Sequence, residues 1–204
     1  MKCKIIVAVA AIALLAPGAA GAMDARHPDW PCHQIKVPTL SPAAFWTGPA
    51  INDVGNAWEK DETVHELALQ LAARRTPLEK AKKAATAFVT GTPEQKKQKA
   101  KLLFAGLFSI LNGERSQVMD GIERFAKRQQ GLRDKIRQEL TDLRAHQNAA
   151  KKDAAAIDKL GNQLSWDTRI FDERRQTINY VCDVPATIEH RLFALARAIQ
   201  QNLN

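Results

Sequence analysis

Residues 118–143 read VMDGIERFAKRQQGLRDKIRQELTDL, and they carry the strongest indication of the fold class. Its apolar side chains recur in alternating steps of three and four residues, which places them along one face of a helix. The spacing continues, with one extra four-residue step after position 136, to about residue 178. The stripe consists of Val118, Ile122, Phe125, Leu132, Ile136, Leu140, Leu143, Ile157, Leu164, Phe171 and Ile178, interrupted by Gln129, Gln147, Gly161, Thr168 and Arg175. A heptad-like stripe of this kind predicts long, coiled-coil-like helices.

The stripe is weakest over residues 145–156, where short or polar side chains replace the large apolar ones. We therefore expect two long helices that meet near residues 146–153, or near Gly161-Asn162, and fold into an antiparallel hairpin over about 114–182. The alternative is a single helix of about 65 residues, roughly 100 Å long at 1.5 Å per residue, which needs a partner chain to cover its stripe.

Shorter helical patterns flank the hairpin. Apolar spacing predicts a helix that ends at about Arg75, and Thr76-Pro77 and Thr92-Pro93 each have the composition of a capped helix start. Asn112-Gly113 is expected to end the second of these helices, and a final helix is expected over about 185–201. Because no alternating apolar pattern suggests a strand, the predicted fold class is all-α, a helical bundle with a long antiparallel hairpin.

The first 22 residues, 1–22, have the build of a secretory signal peptide. Lys2 and Lys4 precede an apolar run of twelve residues, Ile5 to Ala16, and small residues follow up to position 22. The run falls short of the roughly 20 residues that span a bilayer. We therefore expect cleavage before Met23 and a soluble protein in the periplasm or outside the cell.

Charge and compartment together limit the expected partners. The chain carries 30 Lys and Arg against 22 Asp and Glu, a formal net charge of +8, and loss of Lys2 and Lys4 leaves +6. A basic cytoplasmic protein would raise nucleic acid as a ligand, but export argues against it. The expected partners are another envelope or periplasmic protein, a second copy bound through the hairpin, or an anionic membrane surface.

Residues 23–50 are expected to form an extended arm, because five of the nine prolines fall within them. The arm also carries Trp30 and Trp46, whose rings need a surface on which to pack. A single all-α domain over 51–204 offers that surface.

Two cysteines remain after the signal, Cys32 in the arm and Cys182 near the end of the hairpin, since Cys3 lies within the signal. An even pair in an oxidising compartment predicts a disulfide. The bond would close a loop of about 150 residues and stabilise the fold by about 5 kcal/mol in the chain-entropy relation. The alternatives are a thiolate metal ligand at Cys32 and two free, buried thiols.

The densest set of metal-ligating groups in the sequence is His27, Cys32 and His33, which carry side chains that copper and zinc favour. Their spacing matches no closed zinc pattern, so no cofactor is predicted and a copper or zinc site is the alternative. Glu62 and His65 have the spacing used in di-iron helical bundles, but such sites need a second copy of the motif and the sequence has none.

A lysine-rich turn precedes the apolar run from Leu102 to Leu111. Its members are Lys96, Lys97, Lys99 and Lys101. The run is too short to cross a bilayer and is expected in the core, with contact at a membrane interface through these lysines as the alternative.

No catalytic residue is predicted, because the sequence has no Gly-x-Ser-x-Gly, no glycine-rich phosphate loop and no His-Glu-x-x-His. The chain is expected to be an exported accessory, adaptor or chaperone-like protein that acts by binding another protein. The alternatives are a metal- or cofactor-binding protein that uses residues 27–33, and a basic module that binds the envelope or membrane surface. The candidate interaction surface comprises Trp30, Trp46, Lys96, Lys97, Lys99 and Lys101.

Overall fold

The computed structural model describes residues 26–203, so the predicted signal peptide and residues 23–25 lie outside the described residues. Within residues 26–203 the chain forms α-helices and no strand, which confirms the all-α class. The helices are α1 Ala57–Lys60, α2 Glu62–Ala72, α3 Leu78–Phe88, α4 Pro93–Asn148, α5 Ala154–Cys182 and α6 Val184–Gln200.

Helix α4 is the central element of the fold. It has 56 residues, which corresponds to about 84 Å at 1.5 Å per residue. Its N-terminal half packs in the bundle with α2 and α6, and its C-terminal half packs against α5. The predicted capping box starts it, because the Thr92 hydroxyl accepts from the Gln95 N–H and the Gln95 side chain accepts from the Thr92 N–H.

Helix α4 continues through Asn112-Gly113, so the predicted helix end at this pair is wrong. Leu111 before the pair and Met119 after it are both buried. Burying one large apolar side chain stabilises by about 1.5–3 kcal/mol, whereas glycine in a helix costs about 1 kcal/mol. Long-range packing therefore outweighs the local turn signal.

The turn between the two long helices lies within the predicted range 146–153. Ala149 has extended backbone angles, φ −65° and ψ 144°, which end α4. Asp153 then caps α5 by accepting a hydrogen bond of 3.1 Å from the Ala156 N–H. The chain therefore forms two helices joined by a short turn, and not the single long helix of the alternative prediction.

The hairpin is antiparallel. The Gln129 side-chain amide donates to the Phe171 carbonyl at 3.1 Å, and the Lys135 ammonium donates to Asp167 at 2.6 Å. Residues later in α4 therefore contact residues earlier in α5, so the two helices run in opposite directions. We call the end of the hairpin nearest Cys182 its base.

The rest of the fold is a compact bundle of α1, α2, α3, the first half of α4, and α6. Its large, fully buried side chains include Leu71, Val89, Leu103, Phe104, Leu107, Leu111, Leu192, Leu195 and Ile199. Helix α6 begins at Val184 and ends at Gln200, so each end lies one residue earlier than in the predicted range 185–201.

Two helix boundaries in this bundle differ from prediction. The helix expected to end at Arg75 is interrupted, because Asp61 has extended backbone angles and caps α2 by accepting from the Val64 N–H at 3.1 Å. Thr76 does not cap α3, since its hydroxyl donates to the Gln70 carbonyl at 2.7 Å.

The arm packs along the bundle, as its composition predicts. A 3-10 turn at Pro42–Ala44 presents Trp46 to the core, where its indole stacks on Phe104 with ring centroids 4.4 Å apart. The Trp46 Nε1–H donates to the Pro49 carbonyl at 2.7 Å, so the buried ring has no unsatisfied donor. This end of the arm is part of the hydrophobic core.

Candidate interaction site at the base of the hairpin

The arm is joined covalently to the base of the hairpin. Cys32 and Cys182 lie at disulfide distance, with Cα atoms 5.6 Å apart. The Gln34 side-chain amide donates to the Cys182 carbonyl, and Lys36 forms an ion pair with Glu123 on α4. These contacts fix the arm across both helices of the hairpin.

Arg115 adds a buried connection that the sequence does not reveal. Its guanidinium pairs with Glu189 on α6 and donates to the Val37 carbonyl at 2.7 Å. A buried cation needs such partners, because leaving it unpaired is costly. Arg115 therefore ties α4, α6 and the arm together.

Trp30 is buried against α4 and contacts Met119 and Ile122. Its Nε1–H donates to the Gln34 carbonyl at 2.7 Å. Trp46 is buried as well. Both rings therefore pack within the chain, as the need for a packing surface predicts, and their part in an interaction surface stays a prediction.

A groove of about 280 Å³ lies between the arm and the base of the hairpin. We call it the arm–hairpin groove. Its lining is mostly apolar, and the residues are Pro28, Asp29, Trp30, Pro31, Phe125, Ala126, Gln129, Gln130, Arg133, Phe171, Arg175 and Ile178. The arm supplies one wall, and the two long helices supply the rest.

The charged residues of the arm–hairpin groove are mainly cationic. Arg133 and Arg175 have side chains 50% and 71% exposed, and their ion pairs with neighbouring acids on their own helices are long, 3.5 and 3.6 Å. Asp29 is paired with Lys127 at 3.3 Å. The lining residues of the groove therefore comprise two arginines and one aspartate, a net charge of +1.

A second polar cluster crosses the hairpin seam further from the base. The Lys135 ammonium lies 2.6 Å from Asp167 and 3.5 Å from Glu139, and Gln163 donates to Asp167 at 3.0 Å. The hydrogen bond from Lys135, and to a smaller extent the one from Gln163, holds the pKa of Asp167 below its usual value. Burial, together with the neighbouring Asp167, raises the pKa of Glu139. The cluster links α4 and α5 in one register.

Two large aromatic side chains are exposed on α5. Trp166 is 61% exposed and Tyr180 is 79% exposed. They are 14 residues apart, close to four helical turns, so they lie on nearly the same side of α5 about 21 Å apart. Neither position belongs to the apolar stripe that faces α4.

The predicted metal set loses its thiolate, because the Cys32 sulfur lies in the disulfide. Over residues 26–203 no group of three or more His, Cys, Asp or Glu side chains is placed to hold a metal ion. His65, the imidazole of the di-iron-like pair with Glu62, stacks on the Trp58 ring with centroids 5.6 Å apart. His27 and His33 remain at the surface of the arm, partly or fully exposed.

The apolar run from Leu102 to Leu111 lies in the core, as its length predicts, with Leu103, Phe104 and Leu107 fully buried. None of the helices described over residues 26–203 has both the length and the apolar character required to cross a membrane.

Three of the four neighbouring lysines have partners within the chain. Lys101 pairs with Asp53 at 2.6 Å, and Lys99 donates to the Thr90 carbonyl at 3.1 Å. Lys97 lies 3.9 Å from Glu94, and Lys96 is half-buried.

No protein family matches this chain, and comparisons with curated proteins and with solved structures give no match either.

The groove and the exposed aromatic pair are features that sequence reasoning missed. The signal for the aromatic pair was present, because positions 166 and 180 fall outside the predicted stripe. The groove has no sequence signal, since it depends on where the arm packs.

Proposed function

We propose that this chain is an exported helical accessory or adaptor protein that acts by binding another protein of the cell envelope through its hairpin. The observation that carries the proposal is the pair of exposed aromatic side chains, Trp166 and Tyr180, on α5, a helix that packs mainly on α4. The disulfide and the signal-like residues 1–22 support export.

The seam of the hairpin also supports binding. Leu132, Ile136, Leu143 and Leu164 belong to the predicted stripe, yet each is only partly buried. Two helices alone cannot enclose an apolar stripe of the usual width, whereas a third or fourth helix can. A helix from a partner would cover the open flank of the seam.

Exposed tryptophan and tyrosine favour the same conclusion. These two residue types are enriched among the side chains that dominate binding energy in protein interfaces, whereas the core of a soluble domain usually encloses them. On α5 they stand on an otherwise charged, solvated face. They are therefore the residues whose removal should weaken binding most.

The test is quantitative co-purification from envelope extract of the source cells, without reductant. Three proteins are compared: the wild type, the hairpin variant Trp166→Ala/Tyr180→Ala, and the control Leu69→Ala/Phe193→Ala. The control removes two apolar side chains that are each 48% exposed, on the bundle rather than on the hairpin. Light scattering of each purified protein reports self-association.

We expect the wild type and the control to retain the same partner and the hairpin variant to lose it. A dimer that dissociates only in the hairpin variant would assign the hairpin to self-association instead of an adaptor role. A monomeric wild type that retains no protein, or equal retention by all three, would contradict the proposal.

A further inference from the structure

We infer that the arm–hairpin groove receives a bulky apolar side chain from an acidic segment of the partner polypeptide. The inference rests on the proposed function and names the chemistry of the partner at one place. Three properties of the groove lead to it: its size, its charge and one unsatisfied acceptor.

The size and shape of the groove fit a single anchoring side chain. Its volume is about 280 Å³, and it is open along one side, since it lies between the arm and the helices rather than inside the bundle. Pockets for small-molecule ligands usually have roughly 300–1,000 Å³ and enclose most of the ligand. An apolar pocket with a polar border is instead typical of the place where one aromatic or large aliphatic residue anchors an interface.

Charge complementarity indicates the neighbours of that anchor. Arg133 and Arg175 border the apolar lining, and their own ion pairs are long, exposed contacts of the kind that contribute little. Asp29 is already paired with Lys127. Carboxylates that flank the anchor would give both arginines closer partners and would speed association.

Gln129 supplies a hydrogen-bonding group at the same place. It lines the groove, and its amide nitrogen donates to the Phe171 carbonyl at 3.1 Å. Its buried Oε1 has no hydrogen-bond partner among residues 26–203. A buried acceptor without a partner is costly, and a rotation of the Gln129 side chain toward an inserted segment would let a backbone N–H of that segment satisfy it.

The test is an NMR titration of the ¹⁵N-labelled, oxidised chain with three synthetic peptides. The first has one phenylalanine between two sets of three glutamates. The second replaces the phenylalanine by alanine, and the third replaces the glutamates by lysines. The Trp30 indole N–H, assigned with a Trp30→Phe variant, reports directly on the groove.

We expect the first peptide to shift the Trp30 indole and the Gln129 side-chain amide. Loss of a central anchor should weaken binding by about 30-fold or more, so the alanine peptide should bind far less tightly. The lysine peptide should not bind, and added salt should weaken the first peptide because the arginine contacts are exposed.

Two surface variants separate the groove from general basic charge. Arg133→Glu/Arg175→Glu should weaken the first peptide by about tenfold or more. The matched control Arg137→Glu/Arg169→Glu changes arginines on the same two helices, which are similarly exposed and paired with acids on their own helices, but which do not line the groove. This control should bind the first peptide within about twofold of the wild type, because salt screens exposed charges that lie away from the groove.

The inference is overturned if no peptide shifts the Trp30 indole, if both arginine variants weaken binding equally, or if shifts centre on Trp166. It is also overturned if dilution of the free chain shifts the Trp30 indole, because a second copy would then occupy the groove. Failure here leaves the hairpin proposal standing if Trp166→Ala/Tyr180→Ala alone loses the co-purified partner. If Trp166→Ala/Tyr180→Ala also retains the partner, both the groove inference and the hairpin proposal are overturned.

Discussion

Removal of the Cys32–Cys182 disulfide should lower the stability of the fold by up to about 5 kcal/mol. The two cysteines are 150 residues apart in sequence. Freeing a loop of that length returns about 17 cal/mol/K of entropy to the unfolded chain, which is about 5 kcal/mol at 25 °C. The loss should arise in the unfolded state, because the buried Trp30 ring and the Lys36–Glu123 ion pair still hold the native arm.

Urea unfolding followed by the helical circular dichroism signal measures this effect. With a slope near 2 kcal/mol/M, a loss of about 5 kcal/mol moves the midpoint by roughly 2.5 M. The double variant Cys32→Ala/Cys182→Ala and the reduced wild type should unfold at similar urea concentrations, well below the oxidised wild type. Reductant should not change the double variant, which serves as the control for side effects of the reductant.

A midpoint shift below roughly 0.5 M, or about 1 kcal/mol, would contradict a large entropic contribution from the disulfide. It would mean that the bond is absent or that other contacts constrain the unfolded chain equally. Exposure of Trp30 in the folded double variant, seen as a shift of its assigned indole N–H signal in the NMR spectrum, would contradict the assignment of the effect to the unfolded state.

The polar cluster of the hairpin and two helix glycines give further predictions. Relative to Glu139→Gln, the wild type should gain stability as pH falls toward about 4.5, because the raised pKa of Glu139 makes protonation favour the native state; thermal unfolding across pH checks this. Below about pH 4 both proteins should lose stability as Asp167, whose pKa is lowered, is protonated. Gly131→Ala should stabilise by about 0.5–1 kcal/mol, since an added methyl group meets nothing within 4 Å. Gly106→Ala should destabilise by about 1 kcal/mol or more, because the methyl carbon would lie 2.9 Å from a Trp58 ring carbon, and urea unfolding of both variants distinguishes the two cases.

The hairpin was predictable because its signal is repeated many times. The stripe continues from Val118 to about Ile178 with a single extra four-residue step, and its weak middle marks the turn that the structure places between Asn148 and Asp153. The disulfide was predictable for a different reason: the expected removal of residues 1–22 would leave an even pair of cysteines, and the expected export would favour their oxidation.

The errors came from signals that are local and isolated. Asn112-Gly113 favours a turn, but buried neighbours on both sides keep α4 helical. Arg115 looks like any surface arginine in the sequence, and only the meeting of α4, α6 and the arm makes it a buried contact.

The arm–hairpin groove lies beyond sequence reasoning altogether. One wall comes from the arm, Pro28 to Pro31. The other walls come from Phe125 to Arg133 and Phe171 to Ile178, which lie about 100 and 140 residues later in the sequence, so no local pattern can show the groove. The sequence predicted that the arm would pack on the helices. It did not predict which surface would stay open beside it.

Hydrogen–deuterium exchange of the oxidised chain, alone and with its co-purified partner, tests the central claim that the hairpin is the binding element. Binding should slow exchange across residues 118–182, most strongly near Trp166 and Tyr180, and should leave α3 and the C-terminal end of α6 unchanged. Protection confined to α3 and α6, with the hairpin unaffected, would contradict it.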